Sequence, residues 1–162
     1  MGDGVFEIKG EINDIMAAMV VKALLDFSDK NPKDRITLDI SSEGGKVTAG
    51  MAIYDVMRYI PNPVSTIASG KVGGIATLIL AAGTPGMRFA YKESTVSFGL
   101  FLVNKDVQSI PPELNAVMHK IYGILAKHTK MRVEQIVGMA ESEAVLDAEQ
   151  AKKTGLIDMV MD

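Results

Sequence analysis

Two periodicities alternate along the chain. Val5-Phe6-Glu7-Ile8 alternates with period two and predicts a strand. From Asn13, the apolar residues Ile15, Met16, Met19, Val20, Ala23, Leu24 and Phe27 recur every three or four positions. That spacing predicts a helix, followed by Asn31-Pro32. Residues 36–40 predict a second strand, Ser41-Ser42-Glu43-Gly44-Gly45 a turn, and Val47–Tyr59 a second helix ending before Pro61 and Pro63. A third strand is expected at Val64–Ala68. The glycines of Gly70-Lys71-Val72-Gly73-Gly74 then lead into an apolar helix through Ala82, stopped by Gly83 and Pro85-Gly86.

The second half is less regular. Residues 87–91 and 95–98 predict short strands, residues 99–110 are irregular, and Pro111-Pro112 opens a long helix over 113–127. A short helix is expected at 133–139. Asp147-Ala148-Glu149-Gln150 has the form of a capping box, because the Asp147 carboxylate can accept a free first-turn N–H while Gln150 reaches back to the cap. Gly155 stops that helix and residues 156–161 predict a closing strand. Strand–helix alternation without repeat, linker or low-complexity segment predicts one α/β domain over residues 1–162, built on a mainly parallel sheet with right-handed crossovers.

Composition narrows the function classes. The 162 residues are 48% apolar and 23% charged, which excludes intrinsic disorder. Seventeen basic against twenty acidic residues give a net charge of −3, no electrostatic footprint for nucleic acid. The absence of cysteine excludes thiol nucleophiles and cysteine-ligated metals, and two histidines, His119 and His128, are too few for a histidine-rich site. No metal or other cofactor is therefore expected. The longest apolar run, 75–82, is interrupted by Thr77 and too short to span a bilayer, and no charged-then-apolar leader opens the chain. The expectation is a soluble cytoplasmic protein. Eleven methionines and no tryptophan point to soft packing or broad apolar surfaces.

The candidate chemistry lies in the glycine turns. Gly44-Gly45 and Gly73-Gly74 each join a strand to a helix, and in a parallel sheet both open on the carboxyl edge where ligands bind. Helix N-termini present unpaired N–H groups, and a pair of them aimed at one point forms an oxyanion hole. From spacing alone, the blander role of tight turns and close packing fits these glycines better. The segment Gly70-Lys71-Val72-Gly73-Gly74 lacks the ending of a phosphate-binding loop.

Their order along the chain is more specific. The stretch Ile36-Thr37-Leu38-Asp39-Ile40-Ser41-Ser42-Glu43-Gly44-Gly45-Lys46-Val47-Thr48-Ala49-Gly50-Met51-Ala52-Ile53-Tyr54-Asp55 closely resembles the Asn-Ser-Pro-Gly-Gly region of the proteolytic subunit of Clp proteases. Val64-Ser65-Thr66-Ile67 and Leu80-Ala81-Ala82-Gly83 resemble the same family on either side of its nucleophile. Gly155-Leu156-Ile157-Asp158 resembles its C-terminal signature. The resemblance covers nearly the whole chain. It implies the spiral fold that Clp proteases share with crotonases, with a head and a protruding handle helix in a region about 99–128.

The resemblance also implies where the chemistry fails. Gly74 falls where the family, an ATP-dependent serine endopeptidase, has its nucleophilic serine. Gly99 falls at the catalytic histidine and Glu143 near the aspartate. A serine peptidase needs an attacking oxygen and a base for its proton, and glycine supplies neither. Ser69, Ser97 and Lys71 could in principle substitute, the last in a serine–lysine dyad, but loop serines and lysines are ordinarily solvated. Neither His119 nor His128 falls at a motif position; Glu141 and Glu143 can be read as paired acids for hydrolysis, but an acid pair before a helix is more often a solvated turn. The family's oxyanion donors correspond to the backbone N–H groups of Gly45 and Ile75, which survive side-chain replacement.

The expectation is thus an inactive relative that self-associates as a ring, heptameric in the family, or mixes with active Clp subunits. The rivals are a hydrolase or crotonase-like enzyme using the cradle, and a peptide-binding module. Only four residues precede Val5, where the family carries an additional N-terminal segment, so docking to a Clp ATPase by that route is not expected. The stretch 99–128 is somewhat shorter than the family's handle. The helix face of Leu114, Val117, Met118, Ile121 and Leu125 suits either an oligomer interface or core.

Overall fold

The computed structural model describes residues 4–98 and 112–162, with Pro112 and Leu114 by backbone alone. In chain order the elements are β1 (Val5–Lys9), α1 (Asp14–Lys30), β2 (Ile36–Ser41), α2 (Val47–Tyr59), β3 (Val64–Ala68), β4 (Lys71–Val72) and α3 (Ile75–Ala81). There follow β5 (Arg88–Tyr91), β6 (Thr95–Ser97), α4 (Pro112–His128), α5 (Val133–Glu141), β7 (Val145–Asp147), α6 (Ala148–Thr154) and β8 (Met159–Met161).

Period-two patterning fixes the main sheet. In β2, Ile36, Leu38 and Ile40 are fully buried, while Thr37, Asp39 and Ser41 face the other way. Five parallel strands run in the order β1-β2-β3-β5-β8. Register sets Ile8 beside Ile40, Ile40 beside Ala68 and Ala68 beside Ala90, one continuous buried row. Leu24 of α1, Ile53 of α2 and Leu78 of α3 join those strands in the core. A parallel sheet requires such helical cover, since each crossover lays a helix on a face.

A second sheet, β4-β6-β7, differs from the expectation. The glycine segment after β3 contains β4, which pairs in parallel with β6, and β7 pairs antiparallel with β6. Strands this short carry no readable alternation, and their pairing depends on a distant partner. The closing strand starts only at Met159; Leu156 and Ile157 are buried without strand pairing.

The helix ends follow local chemistry. Asn13 Oδ1 accepts from the Met16 N–H at 2.8 Å, capping α1. The expected box at Asp147 is present: Asp147 Oδ1 accepts from the Gln150 N–H at 2.8 Å, and Gln150 Oε1 from the Asp147 N–H at 2.9 Å. Gly155 closes α6 in the left-handed region at φ 82°.

On α4, Met118, Ile121 and Leu125 are buried against the head, so the C-terminal part of the expected handle is core. Val117 is 38% exposed, and the side chain of Leu114 lies outside the described ones. Among the described residues no helix is long and apolar enough to cross a membrane.

Candidate functional site

The two glycine turns touch. The loop after β2 and the loop before α3 are tied by the Gly73 N–H, which donates to the Ser42 carbonyl at 2.9 Å. The buried Ser42 hydroxyl accepts from the Gly44 N–H at 3.1 Å. Gly44 has φ 102°, and a Cβ there would stand 2.9 Å from the Gly73 carbonyl and 3.1 Å from Gly74 Cα. Only glycine permits that conformation at that separation.

Ile12, just before α1, clamps the first loop from the other side. Its N–H donates to the Gly44 carbonyl at 2.9 Å and its carbonyl accepts from the Lys46 N–H at 2.8 Å. A Cβ on Gly45, whose φ is 151°, would fall onto the Ile12 carbonyl oxygen. Because this parallel bridge takes the Gly44 carbonyl and the Lys46 N–H, the Gly45 N–H turns to the opposite edge. It donates to no acceptor among the described residues, and neither does the Ile75 N–H at the first position of α3. The Ile75 side chain is buried and wedged on α2, where a Cβ on Gly50 would collide with it.

Gly74 occupies the N-cap of α3 at φ 55° and ψ −136°. A side chain there would be strained, and its Cβ would sit tightly, 3.2 Å from the Glu43 carbonyl oxygen and 3.4 Å from Gly44 Cα, so that the Glu43 backbone would have to give slightly. A third segment closes the region. Thr77 Oγ1 donates to the Ser97 carbonyl at 2.7 Å, and a Cβ on Gly73 would meet the Ser97 hydroxyl. Past Ser97, the Phe98 N–H donates to the Ala144 carbonyl at 2.9 Å, directly beside Glu143. Tertiary structure thus gathers the loops bearing Gly45, Gly74, Ile75 and Glu143. Gly99 lies outside the described residues. Glu143 is exposed with φ 52°, an unusual backbone state for a residue with a side chain.

The substitutes weighed from sequence have other occupations. The Ser69 hydroxyl donates to Asp39 Oδ1 at 2.5 Å, while Lys71 is exposed on β4. His119 is exposed on α4 and stacks edge-on with Tyr122, ring centroids 6.4 Å apart. His128 Nε2 is hydrogen-bonded to Tyr54 OH at 3.0 Å, in a cavity lined by Gly83 and Pro85 beyond the C-terminus of α3. Gly74 is at the other end of that helix. Among the described residues no His, Cys, Asp and Glu group could hold a metal.

A polar cluster beside His128 was not foreseen. Arg88, nearly buried, donates from Nε and Nη2 to the two oxygens of Asp158 at 3.0 and 2.8 Å. Its Nη1 donates to the carbonyls of Ala81 and His128 at 3.0 and 2.7 Å. The hydrogen bonds and charge of Arg88 hold the Asp158 carboxyl below the usual range. Burial first, then the charges of Arg58, Lys127 and Arg88, push the His128 pKa down. Burial raises that of Tyr54. Apart from the Ala81 carbonyl, these hydrogen-bond partners lie 40 to 74 positions apart, so no local signal points to them.

A family model described as Clp protease matches residues 2–162.

Proposed function

The chain belongs to the Clp protease family, and from that premise we propose that it is a catalytically inactive subunit, acting in ring assembly or in modulating an active Clp protease. The observation that supports it is that the N-cap of α3 is Gly74, which offers no oxygen, at the position that the resemblance pairs with the family's nucleophile. The resemblance sets Gly99 at the family's histidine and Glu143 near its aspartate, and a glycine can move no proton. Ser69 spends its hydroxyl hydrogen on Asp39 rather than on a lysine. In this reading the protein is cytoplasmic, needs no cofactor, and works through contact with copies of itself or with active subunits.

One observation favours a second reading. The N–H groups of Gly45 and Ile75 are without acceptors among the described residues, as a retained oxyanion cradle requires. A binding module holding a peptide carbonyl uses that pair without chemistry.

The deciding experiment is exposure to a serine-directed fluorophosphonate together with fluorogenic peptides. Neither label nor turnover is expected. Stoichiometric labelling at Ser69 or Ser97 overturns the inactive reading.

A further inference from the structure

At the carboxyl end of α4, two neighbouring hollows of about 190 and 180 Å³ share the walls His128, Gly83 and Pro85 and are taken together as a trough. Arg88, Lys127 and Lys130 line one part, and Arg58 the other. The fate of each cation decides what the trough can hold. Arg88 is consumed by Asp158 and two carbonyls. Arg58, Lys127 and Lys130 make no ion pair among the described residues.

A helix carboxyl end ordinarily accounts for nearby cations, because its last carbonyls attract them. Here two of those carbonyls have other partners. Arg88 holds that of His128, and the Thr129 hydroxyl donates to that of Leu125 at 2.7 Å. Lys130 is also seated: its Cβ and Cγ pack against Gly155, where a Cβ would stand 2.8 Å from Lys130 Cγ. No carboxylate is among the described residues that line the two hollows; Asp158 is bound to Arg88, and Asp55 acts on Tyr54. The surplus is positive.

We propose that this trough binds a phosphate monoester or free phosphate dianion between Arg58, Lys127 and Lys130, with the His128 ring beside it. Clefts lined by one sign of charge concentrate the opposite ion, and ammonium and guanidinium groups bind phosphate through charge-assisted hydrogen bonds. Burial is the first cause of the depressed His128 pKa, and the charges of Arg58, Lys127 and Arg88 add to it; among the described residues the ring's hydrogen-bond partner is Tyr54. The proposal stands apart from the inactive-subunit reading, since the trough lies beyond the opposite end of α3 from Gly74.

NMR titration of the two histidines in the whole protein tests it. At constant ionic strength, inorganic phosphate should raise the midpoint of His128 and leave that of His119, exposed on the same helix. Phenyl phosphate provides a second arm; binding of either ligand keeps the site, and their ratio says whether the ester or the free ion is preferred. The double variant Lys127→Glu/Lys130→Glu should bind phosphate at least about tenfold more weakly, equivalent to about 1.4 kcal/mol. Circular dichroism checks that the double variant stays folded, as two exposed positions should allow. Phosphate should raise the melting temperature of the unmodified protein and not of the variant. The same His128 response to matched chloride, an equal response of His119, or undiminished binding by the variant overturns the proposal.

Discussion

At Gly74 the backbone is more informative than the missing side chain. Its φ of 55° and ψ of −136° lie where a residue with a Cβ is strained, and the Glu43 carbonyl stands close enough that it would have to shift by a few tenths of an ångström. Gly74→Ser should therefore fold with a stability loss of about 1–3 kcal/mol, the usual range for one strained residue. It should gain no peptidase activity, since no base accompanies the new hydroxyl. Urea unfolding and fluorophosphonate labelling check the two halves separately. Gly45 is stricter, because any Cβ falls onto the Ile12 carbonyl. Gly45→Val should cost at least about 2–3 kcal/mol by breaking the bridge to Ile12 as well as straining the turn. A melting temperature equal to the parent's would show that the loop relaxes freely. Gly44-Gly45 and Gly73-Gly74 were legible as turn glycines. What they touch was not, because Ile12 and Ser97 approach them from elsewhere in the chain.

Among elements, the attachment of α4 is the most consequential. Its end is held to α2 by Tyr54 and His128, and to β5 and the segment before β8 by Arg88 and Asp158. Asp158→Ala leaves the Arg88 guanidinium nearly buried without its counter-charge. Since Asp158 retains contact with water, the low end for breaking a buried pair, about 3 kcal/mol, is expected by denaturant unfolding. The pH dependence has a definite sign. His128 has a folded pKa below its ordinary 6.5, so the unfolded chain takes up the proton first. Its stabilising contribution is complete above pH 6.5 and is lost as pH falls from there through the folded value. Asp158, whose folded pKa lies below 3.8, contributes above that value and loses its share only in stronger acid. Chemical denaturation across pH should show an upper step absent from His128→Gln; persistence of that step assigns it to another group. The helix periods and the Asp147 capping box were written locally, and they stand where expected. β4 and β7 were not, because two- and three-residue strands exist only by pairing with β6.

For the whole molecule, membership of the Clp protease family leads us to expect association in solution. Exposed apolar side chains such as Ile15, Met19 and Met159 offer contact area beyond the core. Sedimentation at roughly tens of micromolar, a concentration set by ordinary affinities, should give a closed oligomer rather than a monomer. Added active Clp subunits should form mixed particles in native mass measurement; a persistent monomer in both experiments counts against the assembly role. The sequence by itself determined the α/β class, the periods of the main strands and helices, and the absence of side-chain chemistry at Gly74. Each of these depends on residue type and short-range period, which the linear chain carries in full. Only the tertiary structure decided that Gly44 abuts Gly74, that Phe98 is tied beside Glu143, and that Arg88, Asp158, His128 and Tyr54 form one cluster. Those arrangements arise where crossovers return distant segments to the same edge, and contact at such separations is fixed by packing rather than by any local preference.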